Sequence, residues 1–111
     1  MKKEFYILAM LAALVTANIA QAAEKNELVL TLKDHQFSPK EPTIAAGQKV
    51  KLIIKNMDPT PAEFESHDLN REKIIKGNGE GVVFVGPLEP GRYTFFDEFN
   101  EATTKGTLIV K

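Results

Sequence analysis

Apolar and polar residues alternate along much of this chain. Leu28, Leu30 and Leu32 take turns with Val29, Thr31 and Lys33. That period of two sends one set to a core face and the other toward solvent, which predicts a half-buried strand. Val50, Leu52 and Ile54 alternate in the same way with Lys49, Lys51 and Lys55, with Ile53 as the one departure. The lysines read as a solvated face. Between these strands, Asp34-His35-Gln36-Phe37-Ser38-Pro39 reads as a turn, Pro42-Thr43-Ile44 as a short extended piece and Gly47 as a break. The Asn, Asp and two prolines of residues 56–61 mark a loop.

Residues 62–66 predict a short strand, and residues 66–72 have room for one helical turn. Ile74 to Lys76 is expected to pair with Val82 to Val85 across Gly77-Asn78-Gly79-Glu80-Gly81. That glycine-rich segment lacks the following helix, the Lys and the Ser or Thr of a phosphate cradle, so it reads as a hairpin turn. No amphipathic helix of three turns is in the pattern. About seven short strands punctuated by Gly and Pro predict an all-β Greek-key sandwich.

The stretch 88–110 concentrates the unusual features. Pro90 and Gly91 make a turn feeding a strand in which Tyr93, Phe95 and Asp97 share one side. The tyrosine of such a corner ties its hydroxyl to upstream backbone. A carboxylate following two core aromatics on an inward face needs a reason to be there. An acidic loop follows (Asp97, Glu98, Asn100, Glu101), and Gly106 opens a last strand. In residues 62–66, Glu63 and Glu65 point to one face and Phe64 to the other.

The first 22 residues stand apart from this pattern. Met1, Lys2 and Lys3 give a positive start, an apolar run extends from Phe5 to Val15, and Ala20-Gln21-Ala22 supplies a small-x-small cleavage pattern. Together they predict a signal peptide over residues 1–22, cut before Ala23, and a single exported domain over residues 23–111. The apolar run is shorter than the roughly 20 residues a bilayer span needs, so no membrane insertion of the mature chain is expected. An uncleaved anchor is the competing reading, against which Thr16 and Asn18 interrupt the end of the run.

The chain has no cysteine, hence no disulfide, no thiolate and no lipid attachment site of the lipoprotein type. A formal net charge of −1 recommends neither nucleic acid nor an anionic membrane as partner. There is no Gly-x-Ser-x-Gly turn and no His-Glu-x-x-His pair, so hydrolase and transferase signatures are missing. At most an assisting role in ferrous-iron oxidation is left open.

Stretch 88–110 resembles the carboxy-terminal ligand loop of the cupredoxins, in which a Y-x-F-x-C strand is followed by His, Met and a Gly-x-x-x-V strand. Laid over that pattern, Asp97 stands in the place of the copper-binding Cys, Asn100 in that of the His and Thr104 in that of the Met. Phe37-Ser38-Pro39, Gly47, Asn56, Glu63-Phe64-Glu65, Leu88-x-Pro90-Gly91-x-Tyr93 and Gly106 together resemble the EfeO-type cupredoxin-like domain of bacterial periplasmic iron-uptake systems. The resemblance covers residues 28–110. It implies a periplasmic location and, as partner, a periplasmic iron-binding protein or an inner-membrane iron permease. It also places Glu63 near the position of the first copper-binding His, and matches Phe37 and Asp97 to the two cysteines such domains can carry.

If Glu63 lies at the same pole as Asp97, as the family's topology implies, carboxylates converge there. Two ionised carboxylates about 5 Å apart at an effective dielectric of about 20 repel by roughly 3 kcal/mol. A proton, a basic side chain such as Arg71, Lys73 or Lys105, or a cation must offset that. The metal reading takes Glu63 and Asp97 as central ligands, Glu65 and Glu98 as neighbours, His35 or His67 as nitrogen donor and Met57 as a soft ligand. Such an oxygen-rich set suits Fe, Mn or Cu(II) rather than Cu(I). On this reading the protein binds Fe(II), with copper as a redox partner, and assists its oxidation or its delivery to a permease.

The rival reading is a metal-free sandwich that docks a basic partner through its acidic pole, and taken one by one Glu65, Glu98 and Glu101 also read as ordinary solvated charges. Copper carriage without redox chemistry ranks last, because Met57 and the two histidines are the only Met and His residues after the leader.

Overall fold

The structure, a computed structural model, describes residues 26–111. The expected signal peptide and its cleavage point lie outside the described residues. The strands are β1 (Glu27–Lys33), β2 (Gln36–Ser38), β3 (Thr43–Ile44), β4 (Val50–Asn56), β5 (Ala62–Ser66), β6 (Arg71–Ile75), β7 (Glu80–Val85), β8 (Gly91–Asp97) and β9 (Gly106–Val110). A 3-10 turn (Glu98–Asn100) and one helical turn, α1 (Glu101–Thr104), fill what the sequence offered as an acidic loop.

Two sheets face each other, one in the order β2-β1-β4-β7 and the other β3-β9-β8-β5-β6. The pairs β1/β4 and β3/β9 are parallel and the other pairs are antiparallel. The expected β-sandwich is what forms, with the short β2 and β3 raising the strand count above seven.

The alternation read in β1 and β4 holds in space. Leu30 and Leu32 are buried, as are Val50, Leu52 and Ile54, while Lys33 and Lys55 face solvent. Ile53 breaks the pattern because it sits on the outer face between Val29 and Val82, its register partners in β1 and β7. The facing sheet contributes Phe64, Phe95, Leu108 and Val110 to the same core.

At one end of that core three aromatic rings meet. Phe37 packs edge-on against Phe95 at 5.2 Å and Phe64 at 6.3 Å, and Phe64 stacks on Phe95 at 5.7 Å. Such ring pairs add about 0.5–1.5 kcal/mol each beyond the area they bury. Gly106 makes the arrangement fit, since a Cβ there would collide with the ring of Phe95. The tyrosine corner also forms, with the Tyr93 hydroxyl donating to Glu89 O at 2.8 Å.

Residues 74–76 and 82–85 do not form the expected hairpin. β6 pairs with β5 and β7 with β4, so the glycine-rich segment carries the chain from one sheet to the other. A side chain elsewhere in the sequence holds this crossing. The buried Asn56 amide donates to Thr60 O (2.8 Å), Ile75 O (3.3 Å) and Lys76 O (3.2 Å), holding the end of β6 against the 57–61 loop. Asn56 N then donates to Gly79 O at 2.8 Å and Asn78 N to Asp58 O at 2.9 Å, which seats the crossing segment on β4. Residues 67–70 form a turn instead of a helix, closed by Leu69 N donating to Ser66 Oγ at 3.0 Å and Asn70 N to His67 O at 3.1 Å.

Gly106→Ala is expected to lower stability by about 1–3 kcal/mol, the usual cost of overpacking. A drop in the urea midpoint at unchanged m-value measures it, and an unchanged midpoint would show that the Phe95 ring can move away.

Candidate metal centre

β8 delivers Asp97 to the end of the core as the alternation requires. The residue is 1% exposed and lies in register with Phe64 of β5, hence on the inward side. Its Oδ1 accepts from Glu63 N at 2.9 Å and Phe99 N at 3.1 Å, and its Oδ2 accepts from Asn100 Nδ2 at 3.3 Å. Asp97 N donates to the buried Thr104 Oγ1 at 2.8 Å, and that hydroxyl is 2.8 Å from Asn100 O.

Glu63 and Glu65 occupy the other side of β5. The same register that turns Asp97 inward turns these two outward, so the expected convergence of Glu63 with Asp97 does not form, although the Asp97 carboxylate reaches the Glu63 backbone. What Glu63 and Glu65 meet is Glu72 of β6, the register partner of Glu65. One carboxylate oxygen from each of Glu63, Glu65 and Glu72 lies within 4.8 Å of the others. Among the described residues no lysine or arginine is within 4.0 Å of these carboxylates; the one ion-pair contact is His67 Nδ1 to Glu65 Oε1 at 3.6 Å.

Glu65 keeps only 15% of its side-chain surface exposed, while His67 keeps 78% and leans on Phe96 at 5.7 Å. Partial burial, then repulsion from Glu72 and Glu98, and least of all Asp97, push the Glu63 carboxyl above its ordinary 4.5. Burial and Glu72 do the same for Glu65, with His67 pulling the other way.

The remaining candidates are dispersed. Glu98 is exposed in the 3-10 turn and acts on Glu63 through its charge. His35 is exposed at the tip of the β1–β2 hairpin, where it and Asp34 take φ of 56° and 52°, as a two-residue turn with both central residues left-handed requires. Asp58 holds that turn, accepting from Asp34 N at 2.7 Å and His35 N at 3.0 Å. Met57 is 55% exposed, with its backbone N bonded to Leu32 O at 2.8 Å. Glu72 went unread in the sequence. Pairing residues 62–66 with residues 71–75 across the 67–70 turn would have set it opposite Glu65.

The family model for the cupredoxin-like domain matches residues 6–110. The chain belongs to that family. A Rickettsia prowazekii protein, RP394, is 43% identical to this cupredoxin-like domain over 84 residues, covering 76% of this chain and 67% of that protein. The metal-binding domain of the Streptococcus pneumoniae Cu(I)-exporting P-type ATPase CopA superposes with a TM-score of 0.68 at 17% identity, covering 77% and 84% of the two chains. Auracyanin A, a blue copper protein of Chloroflexus aurantiacus, gives 0.66 at 15% identity, covering 77% and 98%. These likenesses show a shared fold.

A blue-copper centre does not fit this cupredoxin-like domain. The place of the thiolate holds a carboxylate whose two oxygens already accept three N–H groups, and among the described residues no buried side-chain polar atom lacks a partner. No soft donor stands at Asp97, Asn100 or Thr104.

The carboxylates predict a pH dependence of sign opposite to the usual acidic group. A folded-state pKa above the unfolded one contributes stability below about pH 4.5 that is lost as pH rises through the raised values of Glu63 and Glu65. Asp68 acts in reverse: two bonds from Thr94 hold it below its ordinary 3.8, so its contribution is present above 3.8 and lost as pH falls through the lowered value. Glu72→Gln should therefore shrink the loss of stability between pH 4.5 and 7, measured by urea midpoints, and leave the acid limb below 3.8 in place. An identical pH profile would show that the three carboxylates do not interact.

Proposed function

We propose that this is an exported cupredoxin-like protein that binds a hard or borderline cation on the outer face of β5 and β6, through Glu63, Glu65 and Glu72, with His67 as the neighbouring nitrogen donor. The observation that carries the reading is the trio of carboxylates gathered within 4.8 Å, with no lysine or arginine within 4.0 Å of them among the described residues. Mutual repulsion at that range has three remedies, namely water, a proton or a cation, and a divalent ion satisfies all three groups at once. Oxygen donors with one imidazole favour Fe(II), Fe(III), Mn(II) or Cu(II) over Cu(I).

The finer reading is service to iron uptake. The domain takes up Fe(II) through its oxygen donors, which hold Fe(III) more tightly once copper(II) as redox partner has accepted the electron, and hands iron to a periplasmic iron-binding protein or an inner-membrane permease. Support for this step is the donor chemistry together with the resemblance to the EfeO-type domain.

A second reading has one observation in its favour. Ile74, the register partner of Glu63, is 64% exposed, so the acidic face carries an apolar residue beside Glu63. A metal-free module docking a basic, partly apolar partner would present such a face.

Anaerobic titration with Fe(II), beside Mn(II) and Cu(II), separates the two. At a hundredfold excess over Kd a bound ion adds about 2.7 kcal/mol of stability, and Glu72→Gln should weaken affinity by at least about tenfold. If none of the ions shifts the melting temperature and the protein purified from its own compartment holds no metal, the metal reading fails. The docking reading then predicts that Glu63→Gln weakens a protein contact that salt also weakens.

A further inference from the structure

The loop joining β8 to β9 lacks every ligand the cupredoxin frame places in it, yet the residues standing in those places tie it shut. Asp97 and Thr104 are 1% and 0% exposed. Asp97 Oδ1 reaches across 34 residues of sequence to Glu63 N on β5, and also takes Phe99 N at the start of the loop. Asn100 Nδ2 donates to Oδ2 of the same carboxylate. Thr104 Oγ1 accepts from Asp97 N and lies within 2.8 Å of Asn100 O and 3.3 Å of Asp97 O, so it closes the loop's far end.

A buried carboxylate without a counter-cation is tolerated when N–H donors stabilise the charged form, and three do so here. Beneath it lie the rings of Phe37, Phe64 and Phe95, which offer no donor to an ion. A cation taking Oδ1 would leave Glu63 N and Phe99 N without their acceptor, and one approaching Oδ2 would compete with Asn100 Nδ2 above rings that add no second ligand.

We infer that Asp97, Asn100 and Thr104 are a metal-free lock that replaces the ion of the fold: hydrogen bonds close the 98–104 loop onto β5, the inner pole is ordered without metal, and it takes none up. Cation binding is thereby confined to the outer carboxylates, a corollary that alone rests on the proposed function. The lock itself holds whether or not those carboxylates bind anything.

Amide hydrogen exchange of residues 23–111, read by NMR in the presence of a chelator, tests it. The Glu63, Asp97 and Phe99 amides should be protected without metal, and Cu(I), which keeps the signals sharp and which the outer carboxylates disfavour, should change their rates by less than about twofold. Asp97→Asn should speed exchange at Glu63 and Phe99 by at least about tenfold. Thr104→Val, which keeps the shape and deletes the hydroxyl, should do the same at Asp97, and it decides the matter should Asp97→Asn not fold. Glu72→Gln should leave all three amides unchanged.

The inference is overturned if these amides exchange freely in the metal-free protein, whether or not Cu(I) then protects them, or if Thr104→Val leaves Asp97 protected. Protected amides in a protein that Fe(II), Mn(II) and Cu(II) do not stabilise would sink the proposed function and leave the lock standing.

Discussion

The Asp97 carboxylate sits 1% exposed with no basic side chain beside it among the described residues, and one end of the sandwich is arranged to make that tolerable. Three N–H groups supply what a counter-ion would. One of them, Glu63 N, joins β5 to β8, whose ladder contains only the register pairs Phe64/Asp97 and Glu65/Phe96. A short ladder is thus extended by a side chain. The arrangement is also directional: with its oxygens turned inward onto backbone amides, Asp97 leaves the outer face of β5 to Glu63 and Glu65.

The same device recurs at the neighbouring loops. Asn56 gathers the ends of β4 and β6 through three carbonyls, and Asp58 seats the β1–β2 turn through two amides. A small domain without a disulfide has few ways to fasten its loops. Buried side chains bonded to backbone are one of them, and each ties down groups that would otherwise be unpaired. The inner pole is therefore a place where polar groups are satisfied.

The outer face of β5 and β6 is the reverse. Glu63, Glu65 and Glu72 face one another across a strand pair, where like charges destabilise. Partial burial first, and then the charge of Glu72 and a hydrogen bond with it, hold the carboxyls of Glu63 and Glu65 above their ordinary range. Satisfied groups hold a fold together, whereas groups in mutual repulsion at a surface are free to take a ligand. That contrast, inside against outside on one strand, is the physical basis for placing chemistry at Glu63, Glu65 and Glu72.

Period-two alternation was enough to read β1, β4 and β5 from the chain, and with them the inward side of Asp97 and the shared face of Glu63 and Glu65. The Tyr93 corner and the opening of β9 at Gly106 were legible as well, because each is a local arrangement within a few residues. Alternation says which side of its own strand a residue takes and nothing about which strand lies alongside. Register set Asp97 beside Phe64 and so away from the Glu63 side chain, sheet order sent residues 80–85 to β4, and both together brought Glu72 to Glu65. Those three outcomes depend on contacts between residues distant in sequence, such as Asn56 with Ile75 and Lys76, and such contacts exist only once the sheets have formed.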